Sequence, residues 1–173
     1  MPLSTLYSPA DLSERIALLG QRIAEHLPPG PISVVGVLKG AFVFMADLVR
    51  AIPREVTCDF VAVSSYGAGK ASSGHPTLQK NLSMDIQGKH VLLVEDIVDT
   101  GLTARFLLDQ FKEHQPSGLY LCTLLDKPSR RHVEVTPDFI GFTIDDVFVV
   151  GYGLDFGERY RNLPYLAVLD EEP

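Results

Sequence analysis

Apolar residues recur along this chain in two alternating rhythms. Leu12, Ile16, Leu19, Ile23 and Leu27 share one face at helical period. Ser8, Pro9 and Asp11 open that helix as N-cap, first-turn proline and capping acid, and Pro28 ends it. Residues 32–38 are almost continuously apolar, the pattern of a strand covered on both faces. Lys39-Gly40 then turns the chain into a second helix with Phe42, Met45, Leu48 and Val49 predicted on its inner side. Strands follow at 56–63, 91–94 and 119–125, and shorter ones at 139–142, 147–150 and 165–169. Ala104, Phe106, Leu107, Leu108 and Phe111 return to helical spacing over 103–113. Strand–helix–strand repetition predicts an open, mostly parallel α/β sheet flanked by helices on both faces.

One stretch breaks both rhythms. Residues 64–80 are rich in Ser, Gly and Lys and have little periodicity. Loops longer than roughly 12–15 residues without structure of their own are uncommon and are usually lids or disordered segments. A mobile loop is expected there. No internal repeat or linker divides the 173 residues, a length that suits one domain, 1–173.

The net charge of −7 argues against a general nucleic-acid binder, which needs a basic face. No apolar segment is long enough to span a bilayer, and the N-terminus shows no secretory pattern. The expectation is a cytoplasmic protein without membrane contact. Cys58 and Cys122 lie among apolar residues and are read as buried free thiols rather than a disulfide or metal site.

The chemistry concentrates in VLLVEDIVDTGLT, residues 91–103. A buried strand runs into two adjacent carboxylates, Glu95 and Asp96. Asp99, Thr100, Gly101, Leu102 and Thr103 then form a polar turn before the next helix. In open α/β sheets such a turn is where ligands sit, and a helix N-terminus with free amides holds a phosphate. Gly101 lets the backbone approach closely. Carboxylates would repel that phosphate, so they make sense if they grip sugar hydroxyls or a metal ion beside it. The apolar residues on both sides of Glu95-Asp96 place at least one carboxylate at a partly buried edge, where it needs a partner.

This stretch resembles the signature of phosphoribosyltransferases that use phosphoribosyl pyrophosphate. With GVLKGAFVFMADL, SSYG, LLDKPSRR and FVVGYGLDFGERYRNLPY, the chain resembles the hypoxanthine-guanine branch, in the family's order and over nearly its whole length. The resemblance implies the type I phosphoribosyltransferase fold, with a small hood and a flexible lid loop of Ser64, Ser65, Tyr66 and Gly67. It implies that Glu95 and Asp96 hold the ribose hydroxyls, with Mg²⁺ bridging to the pyrophosphate. The turn Asp99, Thr100, Gly101, Leu102, Thr103 would take the 5′-phosphate, the side chain of Leu102 pointing away. Asp99 matches the family's general base toward the imidazole nitrogen of the purine. Lys39 and Gly40 match a pyrophosphate-contacting turn, often with a strained or cis peptide at Leu38–Lys39, and Arg161 matches a pyrophosphate-contacting arginine. Lys127 would donate to the 6-oxo group, Phe148 would stack on the base and the backbone of Val149 would read its edge. Asp155, grouped with these purine-binding residues, matches a position that helps bind a second Mg²⁺ near the pyrophosphate.

A lysine donor suits a 6-oxopurine and is a poor match to the amino group of adenine. The implied reaction joins hypoxanthine or guanine, with xanthine also open, to phosphoribosyl pyrophosphate. Relatives are usually dimers or tetramers. The competing readings are a nucleotide-sensing RNA-binding regulator on the same fold, against which the charge counts, and a pyrimidine or adenine transferase, against which Lys127 and FVVGYGLD count. A dinucleotide-binding fold lacks support, because VVGVLKG does not have the G-x-G-x-x-G spacing.

Overall fold

In the computed structural model, residues 2–64 and 76–169 are described. Strands β1 (Leu3–Tyr7), β2 (Ile32–Leu38), β3 (Val56–Ser64), β4 (Thr77–Lys80), β5 (His90–Val98), β6 (Gly118–Asp126), β7 (Phe139–Thr143), β8 (Val149–Val150) and β9 (Leu166–Leu169) alternate with helices α1 (Pro9–His26), α2 (Phe42–Ala51) and α3 (Leu102–Glu113). The main sheet has the order β4-β3-β2-β5-β6-β7. Only β4 runs antiparallel to its neighbour. The most apolar runs sit at its centre: Ile32, Val34, Val35 and Leu92 to Val94 are fully buried, as strands covered on both faces must be.

Leu12, Ile16, Leu19 and Ile23 of α1 and Phe44, Met45 and Leu48 of α2 cover one face, while Ala104, Leu107 and Phe111 of α3 cover the other. The start of α1 is a complete capping box, in which Ser8 N–H donates to Asp11 at 2.8 Å and Asp11 N–H donates to the Ser8 hydroxyl at 3.2 Å. Its last carbonyls are taken by Arg54, which donates to Ala24 O and Leu27 O, both at 3.0 Å.

Several expectations are corrected. Residues 3–7 form a strand where none was predicted, because β1 has a half-exposed pattern and pairs with distant β9. With β8 these strands form a separate antiparallel hood of order β1-β9-β8. The supposed loop 64–80 ends in β4, which pairs with the last residues of β3. Ser64 closes β3, its hydroxyl 2.6 Å from that of Thr77, whereas Ser65, Tyr66 and Gly67 lie outside the described residues. Phe42 faces outward at 42% exposure, since helical phase puts Phe44 on the inner side instead. Cys58 is exposed rather than buried. β4 pairs only with Ala62, Val63 and Ser64, so it leaves the Cys58 end of the strand uncovered. Among the described residues no helix is long and apolar enough to cross a membrane.

Candidate active site

β5 continues through the two carboxylates to Val98, so Glu95 and Asp96 project from the sheet rather than from a loop. Glu95 sits opposite Thr123 of β6 and is 4% exposed. Asp99 and Thr100 then turn the chain, and Gly101 caps α3 in the left-handed region at φ 83°. A side chain at Gly101 would meet Val135 at 2.5 Å in addition to that strain. Among the described residues no side-chain cap covers the first turn of α3, apart from a Leu102 N–H to Thr100 Oγ1 contact at 3.4 Å.

A cavity of about 320 Å³ opens at this end of the sheet. Its wall brings together Lys39, Gly40, Glu95, Asp96, Asp99, Thr100, Gly101, Thr103, Asp155 and Arg161, drawn from four separate stretches of chain. Leu102 does not line it. Lys127, Phe148 and Val149 do not line it either. Lys127 N–H donates to Val98 O at 3.0 Å, and its buried ammonium donates to Val147 O at 2.6 Å. Phe148 is 49% exposed and meets Phe156 edge to face at 5.6 Å. Val149 pairs with Val168 while Leu169 N–H donates to Phe148 O at 2.9 Å. That register turns the N–H and C=O of Val149 toward the open edge of the hood.

Gly40 fits only as glycine. A Cβ there would lie 1.6 Å from Asp96 Oδ2. The peptide before it, Leu38–Lys39, is cis. Lys39 pairs with Glu158 at 2.9 Å, and Glu158 also lies 3.3 Å from Arg161. Arg161 binds Asp155 at 2.9 Å and donates to Gly153 O at 2.8 Å, leaving its buried Nε without a partner among the described residues.

The electrostatics favour a cation. The wall sets the carboxylates of Glu95, Asp96, Asp99 and Asp155 against Lys39 and Arg161. Burial raises the Glu95 carboxyl well above its ordinary value, and the neighbouring Asp96 adds to this. Burial likewise raises Asp96 to about 6, against hydrogen bonding from the Ile97 amide and the pull of Arg161. Glu95 Oε1 is buried and has no hydrogen-bond partner among the described residues. These are the features of carboxylates waiting for a metal ion or hydroxyl groups. The expected trio Glu95, Asp96 and Asp155 does not converge: among the described residues no three acidic, His or Cys side chains form a metal cage, and Asp155 is engaged by Arg161.

The Asp96 shift has a measurable sign. Unfolded, this group titrates near 3.8, and folded at about 6. Between those values the folded state holds more protons, so stability falls as pH rises through the window. Asp96→Asn should therefore melt higher than wild type at about pH 7.5, by about 2–4 °C per kcal/mol recovered, with the gain vanishing near pH 3.5. Equal melting temperatures at both pH values would overturn the assignment.

Sequence reasoning missed Arg130, Arg131, Asp146 and Glu158. Arg131 donates to Val98 O at 2.9 Å and Asp99 O at 2.7 Å and pairs with buried Asp126, strapping the turn. The Arg-Arg doublet beside Lys127 was the available signal.

A central strand ending in carboxylates beside an uncapped helix start defines a protein that binds a phosphorylated sugar or nucleotide at the carboxyl edge of its sheet. Known proteins narrow that class. The model of the phosphoribosyl transferase domain matches residues 4–157. A hypoxanthine phosphoribosyltransferase of Haemophilus influenzae is 47% identical over 174 residues, covering 98% of this chain and 97% of that protein. A hypoxanthine-guanine phosphoribosyltransferase of Aquifex aeolicus is 48% identical over 170 residues, covering 98% and 96%. The crystal structure of a hypoxanthine-guanine phosphoribosyltransferase from Bacillus anthracis, with HEPES in its active site, matches with a TM-score of 0.91 at 47% identity, covering 96% of this chain and 98% of that one. The chain belongs to the phosphoribosyltransferase family and has its type I fold.

Proposed function

We propose that this enzyme serves purine salvage, transferring the 5-phosphoribosyl group of phosphoribosyl pyrophosphate to hypoxanthine or guanine. The products are the nucleoside monophosphate and pyrophosphate. The observation that carries this reading is the shared cavity. Its wall carries the start of α3, the Glu95-Asp96 pair and Asp99 together with the cations of Lys39 and Arg161.

The 5′-phosphate sits on the amides and hydroxyls of Thr100, Gly101 and Thr103, with the backbone of Leu102 completing the turn. Glu95 and Asp96 take the ribose hydroxyls. Lys39, the Gly40 backbone and Arg161 receive the pyrophosphate, which must displace Glu158 from both cations. Glu95 and Asp96 are the residues that would hold Mg²⁺ together with oxygens of the substrate, Asp155 staying paired with Arg161; the ion, when bound, would offset the charge of the departing pyrophosphate. The bond from the sugar carbon to pyrophosphate breaks, the bond to the purine nitrogen forms, and Asp99 accepts the proton of the imidazole ring. Lys127 donates to the 6-oxo group, Phe148 stacks on the base and the Val149 backbone meets its edge. The enzyme works as one domain in the cytoplasm, as a homodimer or homotetramer, on small molecules without nucleic acid or membrane.

Product formation from phosphoribosyl pyrophosphate and Mg²⁺ with hypoxanthine, guanine, xanthine and adenine in parallel tests the reading. The expected result is turnover of 6-oxopurines and none of adenine. Failure with all four bases would refute it.

A further inference from the structure

Arg130 has no part in the reaction as described, yet it joins the two ends of the purine site. Its Nε donates to Asp99 Oδ1 at 2.9 Å. Its Nη1 donates to the two oxygens of Asp146 at 3.2 and 3.4 Å. Asp146 in turn stands 3.9 Å from the ammonium of Lys127. A chain of alternating charge therefore runs Asp99, Arg130, Asp146, Lys127. Its two ends are the groups proposed to meet the imidazole nitrogen and the 6-oxo group of one purine. Three separate segments meet in it: the turn after β5, the short 3₁₀ turn Pro128–Arg130 after β6, and the loop leading to β8.

Fold stability is not what this chain supplies. Arg130, Asp99 and Asp146 are 44%, 37% and 55% exposed, and ion pairs in such positions contribute only about 0–1 kcal/mol. The backbone of the turn is already held by Arg131, which binds the carbonyls of Val98 and Asp99 from a well-buried position. What remains for Arg130 is the orientation of a carboxylate. By engaging Oδ1 it fixes the Asp99 side chain and leaves Oδ2 for the substrate. A planar guanidinium with several donors can hold two carboxylates at once in a set geometry, which an ammonium cannot.

We propose that Arg130 is a positioning residue. It sets the rotamer of Asp99 and keeps that carboxylate in register with Lys127 through Asp146, so that a 6-oxopurine meets both groups together. This rests on the function proposed above. A misplacement of about 1 Å at a reacting group can cost on the order of 10²-fold in rate.

The test is steady-state kinetics of wild type, Arg130→Ala, Arg130→Lys, Asp146→Ala and the double variant Arg130→Ala/Asp146→Ala, with hypoxanthine and phosphoribosyl pyrophosphate varied separately and melting temperatures measured alongside. Arg130→Ala should lower kcat/KM for hypoxanthine by about 10- to 100-fold. KM for phosphoribosyl pyrophosphate should stay within about twofold and the melting temperature within about 2 °C. Asp146→Ala should lose a similar factor, and the double variant should be little worse than either single one, because all three cut the same link. Arg130→Lys should recover part of the loss. Wild-type kcat/KM in Arg130→Ala overturns the proposal. So does an equal loss toward both substrates, or a large drop in melting temperature, either of which marks a merely structural role. An inactive wild type refutes the underlying function instead, and is recognised as such because no variant need be made to see it.

Discussion

Asp99→Asn slows turnover of hypoxanthine by about 10²–10⁴-fold, the usual worth of a general base. The amide keeps the shape of the side chain and can still accept from Arg130 Nε, so the turn that Arg131 and His132 hold through the carbonyls of Val98, Asp99 and Thr100 is undisturbed. It loses the ability to take a proton. The loss should therefore fall in kcat, with binding of phosphoribosyl pyrophosphate nearly unchanged. Rapid-quench measurement of a single turnover separates the chemical step from product release. A single-turnover rate close to wild type would remove Asp99 from the role of base.

Gly40→Ala damages the same cavity by a different route. The added methyl would stand 1.6 Å from Asp96 Oδ2, so the carboxylate or the turn has to move. The turn has little freedom, since a Cβ at neighbouring Gly153 would lie only 2.2 Å from Gly40 O. Overpacking of this kind costs about 1–3 kcal/mol of stability. The larger effect is on function, because the displaced group is one of the two carboxylates assigned to the sugar. kcat/KM for phosphoribosyl pyrophosphate should fall by more than about 100-fold, beyond the loss for hypoxanthine. Calorimetric titration of phosphoribosyl pyrophosphate with Mg²⁺ reads the binding part directly. Wild-type affinity in the variant would show that Asp96 can give way without consequence.

The legible parts of this site were the local ones. A buried strand, two carboxylates and a small-residue turn lie within thirteen consecutive residues, 91–103, and sequence spacing alone makes them neighbours in space. Lys39, Lys127 and Arg161 reached the site through motif resemblance, each following a strand or a glycine-containing turn whose position the fold dictates. What stayed hidden depends on pairing across the chain. Glu158 closes on Lys39 over 119 positions, and Arg130 closes on Asp99 over 31. Nothing in the composition around Glu158 distinguishes it from a solvated acid. The contact of Gly40 with Asp96 is equally non-local, which is why the glycine reads in sequence as an ordinary helix start. β1 was missed for the same reason: five residues with mixed polarity become a strand only because β9 offers an edge.

The hood has a consequence for how the molecule is made. It pairs Leu3 with Leu169 and Thr5 with Ala167, the two extremes of the described chain. Strands β2 to β7 end at Thr143, so the main sheet and most of the cavity wall emerge from a ribosome before the last hood strand exists. During that interval β1 and β8 have no partner, because β9 lies between them. The nascent chain thus holds an exposed strand at each end of an otherwise complete core, and pairings this distant in sequence form slowly. Once β9 has emerged it fills the gap between β1 and β8, which joins residues 3–7 to residues 166–169 and fixes Val149 and Val150 in one closing event.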